Sequence, residues 1–261
     1  MSGSDGSWST ARRRNSSRTP ATSAPRTTSP VASASRCGGD MPREVYHRDL
    51  AVLHERILAL GSSTRRAVEE SMLSLRAGDF EWSRRIDAED ERINQERLAI
   101  EERCIAVIAT QQPVAGDLRR LASALFVTSE LERIADHAVG IARLNLMMVK
   151  ELSPRPLSYL PSMADRALAM FDDAIRAFDT DDVALARQVC LSDDDLDRLQ
   201  DRVYADVIAA MRADAGVVER NTYLLWAAHN LERIGDRCTN IGERVVYTVT
   251  GESTDTKVST F

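Results

Sequence analysis

The sequence has few aromatic residues and no long apolar segment. Aromatic side chains make up 5% of the 261 residues, and β-branched residues form few runs, which argues against a β-sandwich or a β-barrel. The longest apolar runs are only a handful of residues, for example 146–149, whereas a membrane-spanning helix needs about 20. No apolar stretch typical of a secretory signal occurs near the N-terminus. We therefore expect a cytoplasmic protein without a membrane-spanning helix.

Cysteine is scarce, and acidic residues outnumber basic ones. The four cysteines, Cys37, Cys104, Cys190 and Cys238, form no CxxC pair and no zinc-binding pattern. We predict reduced thiols, three of them on the core faces of helices, which is typical of a cytoplasmic protein. The chain has 34 basic and 40 acidic residues, so its net charge is −6. This balance argues against a broad basic surface for direct nucleic-acid binding.

Residues 1–40 differ in composition from the rest of the chain. They are rich in Ser, Thr, Arg, Pro and Gly, and their six arginines and two acidic residues make this leader basic. Such a segment buries too little apolar surface to offset the entropy of ordering, so we predict that it is disordered. The alternatives are an organelle transit peptide, which shares the Arg/Ser bias, and a start of translation at Met41 rather than Met1.

Proline positions divide the remaining chain into long helical stretches. After Pro42, proline occurs only at positions 113, 154, 156 and 161, and proline interrupts helix interiors. Between these positions apolar residues recur in steps of three, four and seven, which predicts helices packed at shallow angles. The predicted core stripes include Leu53, Ile57, Leu60, Ile86, Ile93, Ile100, Val107, Leu118, Leu131, Ile134, Ala138, Ile141, Leu160, Ala167, Phe171, Val189, Leu196, Val203, Leu231, Ile234, Cys238, Ile241 and Val245.

The second half of the sequence repeats the first. Residues 131–136 read LERIAD and residues 231–236 read LERIGD, at an offset of 100. The middle helices align at an offset of 103, with Asp90, Ile93 and Asn94 matching Asp193, Leu196 and Asp197. A period near 100 residues with three helices per period predicts an all-α fold of two three-helix bundles in tandem. We place the first bundle at 41–152, the second at 153–250, their joint near residues 154–161, and a tail at 251–261.

One face of the last predicted helix is acidic. With about 100° of rotation per residue, Glu232, Asp236, Asn240 and Glu243 lie within an arc of about 80°, roughly opposite the apolar stripe. One interpretation is an ordinary solvated face. The other is a surface site for a hard cation such as Mg²⁺, Mn²⁺ or Fe³⁺, because carboxylates one turn apart repel each other unless something offsets the repulsion. His229 lies beside this arc and is a further candidate ligand.

The duplicated LERIxD helix and the segment PVAGDLR at 113–119 resemble the PhoU family of bacterial phosphate-uptake regulators. The second copy, ERIGDRCTNIGE at 232–243, nearly matches the family form, whereas Gly140 and Arg143 replace the usual Asn and acid in the first copy. The resemblance implies a spectrin-like pair of three-helix bundles. It also implies metal ions (Fe, Zn, Mg or Mn) on the acidic faces, with ligands Glu132, Asp136, Glu232, Asp236, Asn240 and Glu243. The departures predict a weaker first site.

The same resemblance implies a function in phosphate homeostasis. The family restrains the phosphate-starvation response and phosphate uptake, acting between the ATPase subunit of a phosphate ABC transporter and a membrane sensor histidine kinase. The resemblance also implies homodimers that meet membranes only through these partners, and it implies no enzymatic activity. The sequence contains no nucleotide-binding loop and no hydrolase motif. Two alternatives remain open: a carboxylate-bridged metalloenzyme, for which Glu44 and His47 have one suitable spacing, and a purely structural helical scaffold.

Overall fold

The chain folds into long α-helices. A computed structural model describes residues 42–148 and 159–252. Within these ranges there are six helices and no strand, which confirms the predicted all-α class. The helices are α1 (Pro42–Ala77), α2 (Phe80–Gln111), α3 (Gly116–Met147), α4 (Leu160–Thr180), α5 (Val183–Ala213) and α6 (Val218–Thr250), with a 3₁₀ turn at Ala215–Val217 before α6. The predicted leader (1–40), most of the joint and residues 253–261 lie outside the described residues, and the predicted domain boundaries stay predictions.

Equivalent turns separate the first two helices of each repeat. Asp79 caps α2 by accepting a 2.9 Å hydrogen bond from the Trp82 amide, and Asp182 caps α5 by accepting from Ala184 and Leu185. The residue before each cap, Gly78 or Asp181, has a positive φ, a conformation in which Gly and Asp are tolerated better than bulky residues. The two caps are 103 residues apart, so the sequence repeat extends to the turn chemistry.

The two three-helix repeats, α1–α3 and α4–α6, share one apolar interior. Within each repeat all three helices pack together, and across the repeats α3 packs along α6 while α1 packs against α4. Most predicted stripe residues are buried, and the main cluster of buried side chains runs from α1 to α6, with two smaller clusters around Ile86 and Val245. Leu118 was predicted in the core but is 41% exposed, because it lies in the first turn of α3, at the end of the bundle.

Polar features agree with this packing. Cys104 and Cys238 are buried free thiols, and Cys190 is a half-buried one. Thr64 of α1 is buried and donates a 3.3 Å hydrogen bond to the Leu131 carbonyl of α3.

None of the six helices has a stretch long and apolar enough to cross a membrane.

Candidate functional site: two acidic grooves and the seam between the repeats

The predicted acids of α6 face α5 across a groove. We call Asp193 and Asp197 of α5 together with Glu232 and Asp236 of α6 the second groove. The helices approach closely here, because Gly235 leaves room for the Leu196 side chain and the Asp193 carboxylate, both within 3.4 Å of where a β-carbon would stand. Asp193 is consequently 1% exposed.

Burial and mutual repulsion shape the chemistry of the second groove. The Glu232 side chain is 17% exposed, and its Oε2 lies 3.3 Å from Nδ1 of His229. Burial, followed by the charge of Asp236, raises the pKa of Glu232 to about 7. Burial and the neighbouring acids, first among them Asp236, also raise the pKa of Asp197. The expectation of an acidic face opposite the core was therefore wrong at Glu232, since α5 covers that side of α6.

Asn240 points away from the second groove and toward the first repeat. Its Nδ2 donates a 3.0 Å hydrogen bond to Oε2 of Glu130 on α3, and Nη1 of Arg237 lies 3.5 Å from the same oxygen. Glu130 is 5% exposed. Glu243, the remaining predicted ligand of this helix, is half-buried.

The contact between α3 and α6, which we call the seam, is built from equivalent positions of the two repeats. At one end Glu130 meets Arg237 and Asn240. At the other, Asn230 lies 3.1 Å from Nδ1 of His137, and a β-carbon at Gly140 would stand 3.0 Å from Oδ1 of Asn230. The pairs 130/230, 137/237 and 140/240 all differ by 100 residues. The glycine at 140 thus leaves room for Asn230, a role that the sequence pattern alone did not reveal.

The first groove, between α2 and α3, holds the other two predicted ligands. We define it by Asp90 and Arg97 of α2 with Glu132, Asp136 and Arg143 of α3. Glu132 is 22% exposed in its side chain, and its Oε1 lies 3.8 Å from Nε of Arg97. Asp136 is exposed. Burial raises the pKa of Glu132, and the charge of Asp136 adds to that effect, whereas Arg97 opposes it.

The donor chemistry of the grooves suits hard cations, but the side chains do not converge on a point. Carboxylate oxygens are the ligands that Mg²⁺ and Mn²⁺ prefer. Across residues 42–148 and 159–252, however, no group of three or more His, Cys, Asp or Glu side chains is arranged to hold a metal ion. A cation in the second groove would therefore require new side-chain rotamers of Glu232 and Asp236. The metal-ligand assignments stay predictions.

The segment that begins α3 has a structural role at the end of the bundle. Ala115 precedes the helix with a φ of 48° and provides no side-chain cap, and Asp117 lies in the first turn, where an acid favours the helix dipole. The guanidinium of Arg119 packs against Gly251 at the C-terminus of α6, the end at which a cation is favourable. Arg120 forms a 2.9 Å ion pair with Asp181 of the second repeat.

Comparison with known proteins gives consistent matches. The family profile described as "PhoU domain" matches the chain twice, at residues 57–144 and 160–245. The phosphate-specific transport system accessory protein PhoU homolog of Clostridium acetobutylicum is 32% identical over 216 residues, which span 82% of this chain and 99% of that protein. The crystal structure of PhoU from Pseudomonas aeruginosa superposes with a TM-score of 0.76 at 30% identity, covering 79% of this chain and 100% of that one. The phosphate transport system regulatory protein PhoU from Streptococcus pneumoniae superposes with a TM-score of 0.71 at 29% identity, covering 80% and 99%.

Proposed function

The chain belongs to the PhoU family, and we propose that it acts as an accessory and regulatory protein of a phosphate transport system. Two matches to the PhoU domain carry this proposal. They are supported by the similarity to the PhoU homolog of Clostridium acetobutylicum, which extends over 99% of that protein.

The finer part of the proposal concerns partners. The protein restrains phosphate uptake and the starvation response by contacting the ATPase subunit of a phosphate ABC transporter and a membrane sensor histidine kinase. It does so without enzymatic activity, as a cytoplasmic homodimer. The exposed helix surfaces support protein docking: Leu98 is 47% and Ile105 59% exposed, and these two residues lie one heptad apart on α2. Two exposed apolar side chains at this spacing suit packing against a helix of a partner protein.

A deletion strain tests the proposed function. The gene is removed, and phosphate uptake and a starvation-responsive reporter are measured in phosphate-rich medium. We expect both to rise, and we expect the intact gene to restore them. Co-purification of the full chain with the transporter ATPase and with the kinase tests each partner separately. Unchanged reporter output in the deletion strain would contradict the regulatory role.

We also propose that the second groove binds a divalent or ferric cation. Glu232 and Asp236 would supply carboxylate ligands, with Glu243 about two turns further along the helix, and Asn240 would join only by leaving Glu130. Burial, followed by the charge of Asp236, raises the pKa of Glu232, and a cation there would offset the repulsion from Asp236. Glu132 and Asp136 are the corresponding residues of the first groove, where we expect little or no binding.

Metal analysis of paired variants tests the cation proposal. Replacing Glu232 and Asp236 by alanine should remove most of the metal bound by the purified protein. The matched change at Glu132 and Asp136 should remove less. Circular dichroism of both variants serves as the control for folding. Equal losses, or an unchanged metal content after the change at Glu232 and Asp236, would contradict the assignment.

A further inference from the structure

Two arginines of the first groove have no basic residue at the equivalent positions of the second repeat. The offset of 103 residues between α2 and α5 makes Arg97 equivalent to Gln200, and the offset of 100 between α3 and α6 makes Arg143 equivalent to Glu243. A cation of the first repeat is thus replaced by a neutral amide in one case and by an acid in the other.

Arg97 is held in the first groove by several contacts. Its Nη1 donates a 2.8 Å hydrogen bond to Oε1 of Glu101, and its Nη2 donates a 3.0 Å hydrogen bond to Oδ1 of Asn94. Its Nε donates a 3.3 Å hydrogen bond to the same Asn94 oxygen and lies 3.8 Å from Oε1 of Glu132 across the groove, and the Arg97 side chain is 21% exposed. A guanidinium held on both sides by its own helix is pre-positioned, so little further entropy is lost in facing Glu132.

Arg143 adds a second positive charge from the opposite wall. Its Nε lies 2.7 Å from Oδ1 of Asp87 on α2. The charge of Arg143 opposes the rise that burial and Asp136 cause in the pKa of Asp90. The first groove therefore has an arginine from each of its two helices.

At the α5 wall of the second groove, Asp197 is surrounded by further acids. The side chains whose charges act on Asp197 are Asp236, Asp194 and Asp201, and all three raise its pKa. At Glu232 the charge of Arg233 opposes the rise in pKa, and Arg233 is already in a 2.8 Å ion pair with Asp236.

We propose that Arg97 is the counter-charge built into the first groove and that it excludes a metal ion from Glu132 and Asp136. A metal ion approaching Glu132 would meet the repulsion of a fixed guanidinium, and displacing Arg97 would break its bonds to Asn94 and Glu101. The first groove is thus partly neutralised by the protein itself. If the second groove binds a cation, as proposed above, binding is confined to that groove. The exclusion of a metal ion from the first groove does not depend on that proposed function.

Manganese binding in a background that isolates the first groove tests this inference. The background is the full chain with Glu232→Ala and Asp236→Ala. In it we compare the native Arg97 with Arg97→Gln, which installs the residue found at position 200, and use Arg92→Gln on the exposed face of the same helix as the matched control. Binding is followed by Mn²⁺ electron paramagnetic resonance and by the melting temperature with and without Mn²⁺.

We expect Mn²⁺ to bind the Arg97→Gln protein at least about tenfold more tightly than the background or the Arg92→Gln control, a difference of about 1.4 kcal/mol. Mn²⁺ should raise the melting temperature of the Arg97→Gln protein alone. The inference is overturned if the background with Arg97 binds Mn²⁺ at Glu132 and Asp136, shown by loss on their replacement with alanine. It is also overturned if a folded Arg97→Gln protein gains no binding.

The reverse exchange separates this inference from the cation function of the second groove. Gln200→Arg in the otherwise native chain should weaken Mn²⁺ binding there, because it supplies the missing guanidinium. If the native chain binds no Mn²⁺ at all, the proposed cation function fails, while the comparison of Arg97 with Arg97→Gln in the isolated first groove still decides the role of Arg97.

Discussion

Replacing Glu130 by alanine measures how much the seam contributes to stability. The Glu130 side chain is 7% exposed, lies 3.5 Å from the Arg237 guanidinium and accepts a 3.0 Å hydrogen bond from Asn240. Removing one member of a buried charge pair costs about 3–5 kcal/mol, because the charge left behind loses its compensation. The Arg237 side chain is 19% exposed, so water replaces part of the lost interaction. We expect a loss near the lower limit, about 3 kcal/mol.

Urea denaturation of the full chain gives the free energy of unfolding for this comparison. For a folded region of this size, a loss of about 3 kcal/mol corresponds to a fall in melting temperature of roughly 6–12 °C. Asn230→Ala is the matched control, because Asn230 occupies the equivalent position without a charge. This replacement should lower the free energy of unfolding by about 1 kcal/mol. If Glu130→Ala costs no more than Asn230→Ala, the buried carboxylate does not stabilise the seam and the reasoning is refuted.

Three further predictions concern packing, pH and the leader. Gly242→Ala should destabilise the protein by about 1–3 kcal/mol, because the new methyl group would stand 2.8 Å from the Ala186 carbonyl oxygen, whereas Gly116→Ala, with open space around it, should change the free energy of unfolding by less. Glu232→Gln should raise the melting temperature at pH 8 and change it little at pH 5. The folded-state pKa of about 7 lies above the usual 4.5, so the stability linked to this carboxyl is full at low pH and is lost as the pH rises through 7; an unchanged difference between the two pH values would contradict the assignment. Deleting residues 1–40 should leave the melting temperature within a few degrees of the full chain by calorimetry, since the segment lacks apolar periodicity.

The seam explains why polar residues on one helix take different roles. Glu232 and Asp236 face α5, while Asn240 and Arg237 of the same helix reach α3. A helix that packs against neighbours on three sides has no fully solvated face, so half-buried polar groups must find partners or shift their pKa. The two residues that depart from the family motif in the first copy then have separate explanations: Gly140 makes room for Asn230, and Arg143 pairs with Asp87.

Helix positions and turns could be predicted from local patterns. At the turns Gly78–Asp79 and Asp181–Asp182, a residue with positive φ is followed by an aspartate that caps the next helix, and such residue types are a local signal of a helix boundary. The error at Leu118 has a non-local cause: periodicity shows which face of α3 is apolar, but not how far along the helix the neighbouring helices extend.

The amino-acid sequence by itself determined the helical class, the three-helix period and the family, because apolar spacing and the duplicated LERIxD motif are properties of the chain read in order. Only the tertiary structure decided which acids are buried, since a rotation angle places Glu232 on a face of α6 without showing that α5 covers it. It also decided that Glu130 meets Arg237 and Asn240. Residues 107 and 110 positions apart come together there because α3 and α6 pack side by side, and that contact has no signature in either helix alone.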